Sequence, residues 1–130
     1  MIFVIGGAFQ QKREVACKLF GYRLSDFVDG KDCTYEQIKN AKAVYNFHEF
    51  ILQCMQEEQD LTALAEILQK ENPDILIVSD EIGYGIVPME QDMRAWRELT
   101  GRICCQIAAL SDTVVRVVAG IPTVIKGEIK

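Results

Sequence analysis

The sequence holds one histidine, one tryptophan and three prolines, and its 14 basic residues are outnumbered by 19 acidic ones. Each shortage excludes something. A net charge of -5 and no basic run remove the footprint with which a protein neutralises nucleic-acid phosphates or adheres to an anionic lipid surface. Neither nucleic acid nor membrane is therefore expected as a partner. No apolar stretch approaches the ~20 residues of a membrane-spanning helix. The apolar opening Met1–Ile5 meets glycines before it is long enough for the core of a secretory leader. The cysteines (Cys17, Cys33, Cys54, Cys104 and Cys105) are odd in number and form neither a CxxC pair nor a Cys/His cluster with zinc spacing. They read as reduced thiols, and the chain as a cytoplasmic protein without a metal centre.

What is present is ordinary globular material. Hydrophobic residues make up 49% and charged residues 25% of 130 positions, enough to bury one core, so residues 1–130 are expected to form a single compact domain. Ile2-Phe3-Val4-Ile5 and Ile75-Leu76-Ile77-Val78 are continuous apolar runs of the kind buried on both faces in a parallel sheet. Ala43–Asn46 and Thr113–Ala119 read as further strands, with a short extended piece after Pro122. Helical spacing appears over Gln11–Phe20, Phe47–Gln56 and Leu61–Lys70, and in a long segment for which Pro88 suits the first turn. Gly21 reads as a helix stop. Tyr22–Asn40 is irregular, with a short helix near Thr34–Lys39. Strands alternating with helices predict an α/β layered, mostly parallel sheet flanked by helices.

In such sheets ligands bind beyond the carboxyl ends of the strands, which singles out Gly6–Arg13 and Ser79–Pro88. The first segment begins like a phosphate loop, G-x-x-x-x-G-K-[S/T], in which glycines let backbone N–H groups wrap a phosphate, lysine supplies charge and the hydroxyl holds magnesium. Here the first glycine, Gly6, and the lysine, Lys12, are in place. Gln11 stands at the second glycine, where its Cβ disfavours glycine-like angles, and Arg13 replaces the hydroxyl with a group that has no acceptor. A helix N-terminus flanked by Lys12 and Arg13 remains an anion site; the same residues also read as a tight turn that binds nothing. In Ser79-Asp80-Glu81-Ile82-Gly83-Tyr84-Gly85 the paired carboxylates suit a cation or an oriented nucleophile, or equally a surface turn with capping acids.

The run "IVSDEIGYGIVP", the helix containing "RELTGRICCQIAALSD" and the ending "VVRVVAGIPTVIK" resemble, in order and spacing, the C-terminal half of the adenosylcobinamide kinase/adenosylcobinamide-phosphate guanylyltransferase family. Val4–Ala8 resembles that family's opening. The resemblance implies a P-loop, RecA-like fold, a cytoplasmic role in cobalamin biosynthesis, and a homotrimer. It implies GTP or ATP with Mg2+ as cofactors and a corrinoid as the other small-molecule partner. Carried over residue by residue, Gly6, Gly7 and Lys12 match the family's phosphate loop whereas Gln11 and Arg13 do not, and Gly6, Gly7, Ala8, Lys12 and Arg13 are the candidate nucleotide-binding residues there. Asn46 takes the place of the family's magnesium-side aspartate, and Glu81 is the candidate catalytic group. Asp80 stands where the family usually has asparagine. The segment that carries the family's guanylylated histidine is shortened to Tyr22–Lys42 and contains none. His48 falls at a helix start where the family has an apolar residue, and reads as a partly buried structural histidine. Three roles follow: a minimal kinase, a binding protein for nucleotide, corrinoid or partner subunit without turnover, or a scaffold.

Overall fold

The computed structural model describes residues 1–82 and 91–129. Its strands are β1 (Ile2–Gly6), β2 (Phe27–Asp29), β3 (Ala43–Tyr45), β4 (Leu76–Asp80), β5 (Thr113–Val118) and β6 (Ile121–Lys126). Its α-helices are α1 (Lys12–Phe20), α2 (Tyr35–Ile38), α3 (Phe47–Gln56), α4 (Leu64–Glu71) and α5 (Gln91–Leu110). All six strands share one sheet in the order β2-β3-β4-β1-β5-β6. β1 to β5 run parallel, and β6 alone returns antiparallel against β5.

The apolar runs are continuous because both faces of the sheet are covered. Alternate residues of a strand point to opposite faces, and Phe3, Val44, Ile77 and Val114 enter one core with α3, α4 and α5. Val4, Ala43, Leu76, Val78 and Val115 enter a second core against α1. Phe47, Phe50, Ile51, Leu64, Leu68, Ile103 and Ile107 are almost fully buried. Each contributes roughly 1.5–3 kcal/mol of apolar burial. The α/β architecture and the mostly parallel sheet stand as expected.

Two local features differ from the sequence reading. β2 arises inside the irregular segment and pairs with β3 from Phe27↔Ala43 to Asp29↔Tyr45; three residues carry too little pattern to announce a strand. α4 begins at Leu64 because the Asp60 carboxylate accepts from both the backbone N–H and the hydroxyl of Thr62 (2.9 and 2.6 Å). That local turn competes with the helical path, although Leu61 stays buried. Pro88, with Gly83 and Gly85, lies outside the described residues.

Candidate functional site

The carboxyl ends of β1, β3 and β4 open on one cleft of about 400 Å³. Beside it Gly6, the last residue of β1, pairs in register with Asp80, the last residue of β4. A Cβ on Gly6 would run into the backbone carbonyl of Val117 on β5, so glycine is required there by strand packing. The chain then turns through two left-handed residues, Phe9 (φ 61°) and Gln11 (φ 62°), into α1. Gln11 thus takes the glycine-like backbone that its side chain disfavours, at a cost of about 1–2 kcal/mol, and the loop keeps its turn. Phe9 is fully exposed at the tip.

Lys12, the first residue of α1, turns inward and is buried. Its ammonium lies 2.7 Å from the carbonyl of Gly7 and 2.7 Å from Oδ1 of Asp80. Oδ2 of Asp80 lies 3.3 Å from Nε2 of His48, and the backbone N–H of Asp80 donates to Nδ1 of the same ring at 3.2 Å. Since Nδ1 accepts, the ring proton belongs on Nε2, facing the carboxylate. The Trp96 indole N–H donates to the His48 carbonyl at 2.8 Å, tying the start of α3 to α5. Burial pushes the His48 pKa down, against the opposing pull of Asp80 and Glu49. His48 is therefore a neutral clamp on Asp80.

The β3 side of the cleft is built on Asp29. Its carboxylate accepts from the Tyr45 hydroxyl at 3.0 Å, from Nδ2 of Asn46 at 3.1 Å and from the backbone N–H of Lys31 at 3.0 Å. Burial raises its pKa, but these hydrogen bonds prevail and hold it below the usual carboxylate range. Asn46 caps α3 in the left-handed region (φ 54°). The Arg13 guanidinium lies over the Tyr45 ring, 4.2 Å from its centroid. The cleft thus joins an ammonium, a guanidinium and a helix N-terminus, a donor set for anions. Among the described residues no group of three or more His, Cys, Asp or Glu is placed to hold a metal. The Asp80 carboxylate is already engaged by Lys12 and His48.

Comparison with known proteins decides the relationship. A sequence model of the cobinamide kinase / cobinamide phosphate guanyltransferase family matches residues 34–125. The chain belongs to that family. It is 33% identical over 69 residues to the bifunctional adenosylcobalamin biosynthesis protein CobU of Salmonella typhimurium, and 34% identical over 67 residues to that of Escherichia coli. These matches take in 53% and 52% of the chain, but only 38% and 37% of the two relatives. The Lys12 loop precedes the segment that the cobinamide kinase / guanyltransferase model matches.

Ala8, Lys12, Arg13 and Asn46 all line the cleft. Gly6 shapes the end of β1, and Gly7 supplies the carbonyl that holds Lys12. Glu81 turns elsewhere. Its carboxylate receives Nε and Nη2 of Arg116 at 2.8 and 3.2 Å, its N–H donates to the Gly6 carbonyl at 2.7 Å, and it is not among the described cleft-lining residues. Sequence reasoning did not foresee the meeting of Asp80 and His48. The sheet order brings them together, because β3 and β4 are neighbours and end at the same rim. A histidine three residues beyond one parallel strand and an aspartate ending another are the signal that was available.

Proposed function

We propose that this protein binds a phosphorylated small molecule of cobamide metabolism, a nucleotide or a phosphorylated corrinoid, in the β1/β3/β4 cleft without transferring GMP. The observation that carries this reading is the buried Lys12 ammonium at the start of α1, directed into a cleft that also receives Arg13. Positive groups at a helix N-terminus favour phosphate, whatever molecule bears it. Against turnover stand three facts. Arg13 offers no magnesium oxygen, Asn46 offers a neutral amide oxygen where the family has a carboxylate while its Nδ2 donates to Asp29, and both nitrogens of the lone histidine are occupied by Asp80. A guanylyl acceptor needs a nitrogen free to attack phosphorus. We place the protein in the cytoplasm and, by its family resemblance, as a trimer.

Titration of GTP and ATP, each with and without Mg2+, into the wild type and Lys12→Ala tests this. Weak, magnesium-independent binding, lost in the variant, is the expected result. Tight magnesium-dependent binding would instead support the kinase role, and acid-labile label from GTP on His48 would restore guanylyl transfer. Absence of any binding would leave a scaffold.

A further inference from the structure

We propose that Asp80 is the specificity-determining residue of this cleft: its carboxylate occupies Lys12 as an internal anion, so an outside anion must displace or share that contact to bind. The inference rests on the reading of the cleft as an anion site and states what limits it. Lys12 has two partners at 2.7 Å, the Gly7 carbonyl and Asp80 Oδ1, so its ammonium is already satisfied where a phosphate oxygen would sit.

Asp80 is not a casual surface carboxylate. It ends a buried strand in register with Gly6, and its side chain is a quarter exposed, against 7% for Lys12. His48 holds it from two directions, by the bond from the Asp80 N–H to Nδ1 and by Nε2 beside Oδ2. His48 is therefore a positioning residue for Asp80. Screening between charges this far from bulk water is incomplete, so an arriving anion meets repulsion from Asp80 as well as competition for Lys12. Glu49 also lines the cleft; its carboxylate lies 3.8 Å from Nε2 of His48, whereas the Lys12 ammonium pairs with Asp80. Glu49 separates occupancy from general charge. Ligands with several anionic oxygens fit this arrangement best, because one oxygen can share Lys12 while others take the α1 amides and Arg13.

The test is calorimetric titration of inorganic pyrophosphate, without divalent cations, into the wild type, Asp80→Asn, Glu49→Gln, Lys12→Ala and the Lys12→Ala/Asp80→Asn double variant. Asp80→Asn is expected to bind at least about tenfold tighter than wild type, and Glu49→Gln no more than about threefold tighter. Both variants carrying Lys12→Ala are expected to show no binding. Asp80→Ser is read in the same way in case the asparagine variant folds poorly. Lys12-dependent binding with no gain in Asp80→Asn, or an equal gain in Glu49→Gln, overturns the role of Asp80 and leaves the anion site standing. No Lys12-dependent binding in any of these proteins overturns the anion site itself, and the inference with it.

Discussion

His48 shows how one residue couples the cleft to the stability of the fold. Its burial holds the imidazole neutral, with a pKa below the ordinary histidine value. A depressed histidine pKa means that the unfolded chain takes up the proton more readily than the folded one. The stability from keeping the ring neutral is therefore complete above about pH 6.5 and is lost as pH falls through the lowered folded-state value. Asp80, Glu49 and Asp29 oppose the shift, while Lys12 adds to it. Urea unfolding of the wild type and His48→Gln between pH 5 and 7.5 measures this. Wild-type stability should fall more steeply than the variant's below about pH 6.5, and parallel profiles would contradict a buried neutral ring. Residue type alone gave His48 no role beyond burial. Its meaning depends on a partner 32 positions away in sequence, which only the order of the strands reveals.

At the scale of elements, the cleft depends on junctions more than on helices or strands. Gly30 follows β2, donates its N–H to the Tyr45 carbonyl at 2.8 Å, and would drive a Cβ into the backbone carbonyl of Asn46. A side chain there pushes on the turn that aims Asn46 and starts α3. Gly30→Ala should cost about 1–3 kcal/mol, in the range of other overpacked sites, read as a lower denaturation midpoint. A variant as stable as the wild type would show that the β2–β3 junction yields freely. The strong patterns were legible from sequence: α1, α3, β1, β4 and β5 fall within about two residues of where periodicity and apolar runs put them. β2 and the start of α4 were not. The first is only three residues long, and the second is decided by a side-chain bond from Asp60, a competition that hydrophobic spacing does not register.

The whole molecule sorts its thiols by layer. Cys33, Cys54 and Cys104 lie in the core between the sheet and α3, α4 and α5, and burial pushes their pKa values to about 11, 11 and 12. Cys105, the next residue of the same helix, is exposed. Brief iodoacetamide treatment followed by peptide mass mapping should modify Cys105 well before these three, with the order erased in denaturant. Early modification of Cys104 would mean that α5 packs the other way round. This division between neighbours was readable in advance from helical geometry, since successive residues point about 100° apart. The placement of the Lys12 loop beside Asp80 was not, because it requires knowing that β4, and not β2 or β3, lies against β1.

That last arrangement bears on how the chain acquires its shape. β1 precedes the other strands in the order of the described chain, yet it pairs on one side with β4 and on the other with β5, Ile2 meeting Leu76 and Thr113. Those partners lie 74 and 111 positions further along the chain, and closing such long loops delays the step at which the sheet locks. Until then Phe3 and Val4 have no shelter, and the folding chain carries an adhesive apolar segment. Folding should accordingly be slow for a protein of this size, governed by long-range closure and not by helix formation.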